Sequence, residues 1–149
     1  MPSKSPQRLA LATYIRLTRA ANAARNRAAS NLAGTGLTLT QFAVLEALYH
    51  LGPMSLSDIA QKILTTGGNL TMVVGNLEKL GLAHRQKCSE DRRQLIVVLS
   101  SKGKALIRKT FPEHAAAITE FMTALSPAQL ELLGDLCRQL GLSQEPSAI

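Results

Sequence analysis

Asn69, Thr71, Met72, Gly75, Asn76 and Lys79 interleave with Leu70, Val73, Val74, Leu77 and Leu80 at helical spacing. A helix over this stretch buries the second set and turns the first, which is small, polar and barely charged, outward. The chemistry of such a surface is recognition. An Asn amide pairs bidentately with an adenine edge, Thr and Met contact a thymine methyl, and the first backbone N–H groups of a helix hold a phosphate. An ordinary solvated face has the same composition, so the reading depends on what stands beside the helix.

Catalytic chemistry finds no comparable arrangement. His50, His84 and His114 have no metal-ligand spacing with one another or with Cys88 and Cys137. There is no Gly-rich phosphate loop, and the Ser and Asp residues sit where helix caps are needed. The sequence therefore reads as a non-enzyme without metal or cofactor. Two distant cysteines do not suggest a structural disulfide. Cys88 follows Lys87 with Arg85 nearby, and positive neighbours favour a thiolate, so a redox switch stands beside the plainer reading of a small strand residue. Cys137 lies near an inward stripe and reads as packing.

A length of 149 residues suits one domain, and 46% hydrophobic with 3% aromatic residues and no Trp implies helices packed through Leu, Ile, Val and Ala. The formal charge of +7 favours a polyanionic partner. Residues 1–45 hold six bases (Lys4, Arg8, Arg16, Arg19, Arg25, Arg27) and no acid, residues 46–100 six bases against five acids, and residues 101–149 five of each. On this count the C-terminal third is a poor candidate for a polyanion. The early apolar stretch Leu9–Ile15 is cut off by Arg16 and Arg19 and no run of eighteen apolar residues follows, so a cytoplasmic protein without a membrane partner is expected.

The elements that position these residues follow from periodicity and caps. After a short leader expected to be disordered, Ala10, Tyr14, Leu17, Ala21, Ala24 and Ala28 form one stripe of a long helix, with Arg16, Arg19 and Arg27 off it. Thr38 and Gln41 form a capping box before a helix carrying Phe42, Leu45, Leu48 and Tyr49 that ends at Gly52-Pro53. Ser55 and Asp58 open a short helix through Ile59, Ala60, Ile63 and Leu64, and Thr65-Thr66-Gly67-Gly68 is expected to break it before the helix described above. Two short helices across such a turn make a helix-turn-helix candidate. Leu82–Cys88 and Gln94–Leu99 read as a hairpin with a basic tip. A helix follows from Ser101 to Leu125, with a kink expected at Pro112, and a last one is capped by Ser126 with Leu130, Leu133, Leu136 and Leu140 inward.

Helix pair followed by hairpin is a winged-helix order, and the residues resemble a known family. Thr-Leu-Thr-Gln-Phe-Ala-Val-Leu-Glu-Ala-Leu at 38–48, Leu-Glu-Lys-Leu-Gly-Leu-Ala-His-Arg at 77–85, Asp91-Arg92-Arg93, and Val97-Val98-Leu99-Ser100-Ser101-Lys102-Gly103 are similar, in order and spacing, to the MarR family of bacterial transcriptional regulators. The resemblance covers about residues 8–142. It implies a mainly α fold with a small β-hairpin wing (α+β), a winged helix-turn-helix DNA-binding lobe over about 38–100, and dimerisation helices over about 8–34 and 101–142 of a single domain. It also implies that a wing arginine, here Arg93, enters the minor groove while Asp91 holds it. Gly67-Gly68 in place of a Ser- or Thr-rich turn, and Gly75 in the middle of the recognition helix, depart from the pattern.

Alongside that assignment Arg85, Lys87 and Arg92 read as phosphate contacts, which supply affinity without sequence information. The long apolar stripes of the first and last helices exceed what a small winged-helix core covers, so a homodimer is expected. The resemblance implies a repressor on a pseudo-palindromic double-stranded DNA operator, with a small-molecule effector between dimerisation helices and DNA lobe; Tyr14, Tyr49 and His50 are candidate lining residues. Two other classes compete: a basic architectural or RNA-associated protein using the arginines of residues 8–27, which lacks aromatics for base stacking, and a membrane-surface protein, whose Ala-rich first helix has little to insert.

Overall fold

The computed structural model describes residues 5–63 and 67–142. The leader at 1–4, Leu64 and the Thr65-Thr66 part of the expected turn lie outside that range. Helix α1 (Pro6–Ser30) starts on Ser5, whose hydroxyl accepts from the Arg8 N–H, with Pro6 in its first turn. A 3-10 turn over Ala33–Thr35 ends on Gly36 at φ +71°, a left-handed conformation that glycine adopts without strain. Helix α2 (Leu39–Leu51) has the expected capping box: Gln41 N–H donates to Thr38 Oγ1 at 3.2 Å, and Thr38 N–H to Gln41 Oε1 at 2.9 Å.

Strand β1 (Met54–Ser55) precedes helix α3 (Leu56–Ile63), and Ser55 Oγ both accepts from Asp58 N–H at 3.2 Å and donates to its carboxylate at 2.7 Å. Helix α4 (Gly67–Lys79) leads to β2 (Ala83–Lys87) and β3 (Leu95–Leu99). The hairpin was expected; the third strand was not. β1 pairs with β3 on the side away from β2, giving an antiparallel sheet in the order β1-β3-β2 with Met54 opposite Val97 and Ala83 opposite Leu99. The expected break at Gly67-Gly68 is corrected as well, since both are the first residues of α4. A helix's first N–H groups have no intrahelical partner, so glycine interrupts nothing there.

Phe42, Leu45, Ile59, Leu70, Val74, Leu77, Val97 and Ile107 form the centre of one core beneath α2, α3, α4 and the sheet. Helix α5 (Ser101–Met122) is capped by Ser100 and runs through Pro112 as one element. Its Ile107 and His114 pack inward, and the His114 ring lies 4.6 Å from that of Phe42. Helix α6 (Pro127–Leu142) starts on a reciprocal Ser126–Gln129 pair. Its stripe is not inward as expected: Leu133, Leu136 and Leu140 are exposed, Leu136 by 53%, and Cys137 is exposed rather than packed. Among the described residues, Leu133 and Leu136 of that face remain 41% and 53% exposed. The apolar residues Leu9, Leu11, Tyr14 and Ile15 of α1 are likewise exposed. Among the described residues no helix is long and apolar enough to cross a membrane.

Candidate nucleic-acid interface

Helix α4 is positioned by its buried side. Leu70, Val74 and Leu77 have no exposed surface and Val73 has 7%. Removing four such side chains from water, at roughly 1.5–3 kcal/mol each, fixes which way the helix faces. Asn69, Thr71, Met72 and Lys79 are exposed on the other side, with Gly75 and Asn76 half-buried. The six residues singled out in the sequence therefore share one surface. Met72 is 62% exposed, an apolar side chain that the core does not use. Leu80 was expected inward but is 45% exposed, because α4 ends at Lys79 and the chain turns through Gly81 at φ +71°.

The amino end of α5 is joined to that turn. Lys102 Nζ donates to the Leu80 carbonyl at 2.9 Å, Ser100 Oγ to the Gly81 carbonyl at 2.6 Å, and Ser100 N–H to the Leu82 carbonyl at 3.1 Å. Gly103 packs so closely there that a Cβ would stand 2.1 Å from the Leu82 oxygen. These contacts satisfy carbonyls left over at a helix end and tie α4 to α5. The sequence held no pattern for this contact, which joins residues about twenty apart through backbone carbonyls.

The wing rises from β2 and β3. Cys88 N–H donates to the Gln94 carbonyl at 2.8 Å and Gln94 N–H to the Asp91 carbonyl at 3.0 Å, closing the hairpin below its tip. Lys87, Arg92 and Arg93 are exposed, and among the described residues none of the three enters an ion pair. Asp91 Oδ1 accepts from the Arg93 backbone N–H at 3.0 Å, so it shapes the tip through the main chain and not through the guanidinium. Cys88 is half-buried at the base of the tip. Arg85 differs from the other wing cations. Its guanidinium reaches across α4 to the Glu78 carboxylate at 2.8 Å and to the Thr71 carbonyl at 3.1 Å.

Of the candidate effector residues, Tyr49 and His50 lie together, ring centroids 5.1 Å apart, and His50 meets Phe111 of α5 at 4.8 Å. Tyr14 stands exposed on α1 and enters no ring contact among the described residues. A second space was not foreseen: an apolar cavity of about 400 Å³ between α1, the end of α5 and α6, lined by Leu17, Ala21, Ala24, Met122, Leu133 and Cys137. Small alanines on α1 make the space, which periodicity alone does not reveal. His114, weighed in the sequence only for metal spacing, is buried with its Nδ1 lacking a hydrogen-bond partner among the described residues.

Comparison with known proteins agrees with this geometry. A profile of the MarR family matches residues 37–95, which span α2 to the start of β3. The chain is 36% identical over 133 residues to the HTH-type transcriptional regulator MhqR of Bacillus subtilis, covering 89% of this chain and 92% of that one. The fold is similar to that of BpsR of Bordetella bronchiseptica, whose DNA binding is regulated by 6-hydroxynicotinic acid, with a TM-score of 0.78, 25% identity, and coverage of 87% of this chain and 98% of that one. It is also similar to NadR in complex with 4-hydroxyphenylacetate, with a TM-score of 0.75, 26% identity, and coverage of 94% and 97%. With a winged helix whose polar outward face stands beside a basic hairpin, and a relative matched over nearly its full length, the chain belongs to the MarR family of DNA-binding transcriptional regulators.

Proposed function

We propose that the protein is a homodimeric repressor that reads a pseudo-palindromic operator and releases it when a small molecule binds. The observation that carries this reading is the outward face of α4: Asn69, Thr71, Met72, Gly75, Asn76 and Lys79 lie on one exposed or half-exposed surface, over a side that is fully committed to the core. Asn76 and Asn69 are suited to adenine edges, and Met72 to a thymine methyl. Arg93 and Arg92, at the wing tip, are suited to the minor groove and its phosphates, where narrow A·T-rich segments attract arginine. Lys87 stands on the same edge.

Dimerisation is supported by the uncovered leucines of α6 and by Leu9, Leu11, Tyr14 and Ile15 of α1. A second copy would bring two α4 helices to half-sites about one DNA turn apart. The effector reading is supported by the Tyr49–His50–Phe111 cluster, which bridges the DNA lobe and α5, and by the aromatic acids that BpsR and NadR bind. A ligand there would act by preferring one separation of the two α4 helices.

Fluorescence anisotropy with a labelled fragment of the DNA upstream of its own gene tests the reading. Unlabelled specific fragment is expected to displace the label at far lower concentration than random DNA. Equal displacement by both would replace the operator-reading protein with a sequence-independent one.

A further inference from the structure

Glu78 and Arg85 are seven residues apart, one on the last turn of α4 and the other in the middle of β2. Glu78 Oε1 accepts from the Arg85 backbone N–H at 2.8 Å, and Oε2 accepts from Nη1 at 2.8 Å. Nη2 donates to the Thr71 carbonyl at 3.1 Å. Both carboxylate oxygens are thus occupied, and the guanidinium holds two points of the helix at once. Side-chain exposure is 27% for Arg85 and 28% for Glu78, so the pair is largely shielded from solvent screening.

The two gripped points flank Gly75. A Cβ at that position would meet nothing within 4 Å, so no packing inside the chain requires glycine there. Glycine in a helix interior loosens the backbone. Arg85 spans this loose point, and it reaches there from the strand that carries the wing. Two of the guanidinium's five N–H donors go to protein acceptors at two points of the helix, a planar, forked grip that lysine cannot reproduce.

From this geometry we infer that the Glu78–Arg85 pair is a splint, a positioning device that holds the recognition helix straight across Gly75 and sets its angle to the wing, and that Arg85 is not a phosphate contact. The inference rests on the reading of α4 as the groove-entering helix. A splint acts on shape, so it governs how well the outward residues register on the correct bases. Binding to random DNA, which depends on free phosphate-facing cations, is left unaltered.

The test compares the wild-type chain with Glu78→Gln, Arg85→Lys, Arg85→Ala and the Glu78→Gln/Arg85→Lys double variant, each checked for folding by circular dichroism. Affinity is read on the upstream fragment and on random DNA over a salt series. Glu78→Gln and Arg85→Lys are each expected to lower the specific-to-random ratio about tenfold, with the double variant no worse than either and random-DNA affinity near wild type. Arg85→Lys should fold as the parent does, so its loss of preference is not a folding defect. The splint is overturned if Arg85→Lys keeps the wild-type ratio while Arg85→Ala loses affinity for both DNAs and the salt slope falls by about 0.9, the signature of one phosphate contact. A wild-type chain with no preference for its upstream fragment would sink the groove reading itself, an outcome that the variants cannot mimic.

Discussion

Two glycines separate what the fold needs from what its ligand needs. At Gly103 a Cβ would collide with the Leu82 carbonyl at 2.1 Å and crowd Leu99 Cδ2 at 3.1 Å, so Gly103→Ala must push α5 off the α4–β2 turn. We expect a loss of about 2–3 kcal/mol, read as a lower midpoint in thermal or urea unfolding. Gly75 meets nothing, and Gly75→Ala should stabilise the helix by roughly 0.5–1 kcal/mol. The same variant is expected to weaken operator binding, because the added methyl stands on the surface that approaches DNA; unchanged affinity would remove Gly75 from that surface. The six outward residues of α4 were legible in the sequence because alternation with Leu70, Val73, Val74 and Leu77 leaves them no other side. Leu80 was misplaced for a physical reason: the helical period was carried one residue past the point where the chain leaves the helix.

Among the elements, those with caps were legible. Thr38 with Gln41 and Ser126 with Gln129 satisfy helix-end donors by side chains three residues apart, a local pattern that survives folding unchanged. Strand β1 was not legible, since two residues, Met54 and Ser55, carry no period and Ser55 already read as a cap. In the wing, Asp91 was expected on the Arg93 guanidinium and is found on its backbone N–H, which leaves the side chain exposed at the tip. Arg93→Ala is therefore expected to weaken operator binding with a salt slope smaller by about 0.9, while unfolding stability stays as in the parent. A drop in affinity without a change in slope would move Arg93 off the DNA.

Across the whole molecule, charge summed over thirds of the chain is not a map of surfaces, because sequence thirds are not spatial units. The C-terminal third is neutral in sum, yet its first turn places Lys102 on the end of α4, and Lys102, Lys104, Arg108 and Lys109 precede its first acid. The apolar faces of α1 and α6 are the opposite case: the sequence already set their stripes beyond what a small winged-helix core covers, and Leu9, Leu11, Tyr14 and Ile15 of α1 with Leu132, Leu133 and Leu136 of α6 are exposed in the fold. Light scattering behind size exclusion should give twice 16.0 kDa at micromolar concentration, and a monomeric mass would leave those leucines without an explanation. The central claim is that two copies of α4 meet two successive major grooves on one side of the duplex. Hydroxyl-radical footprinting of the upstream fragment tests it most directly: two protected clusters per strand, centred about 10 base pairs apart and related by two-fold symmetry, are predicted, whereas a single cluster or uniform protection would contradict it.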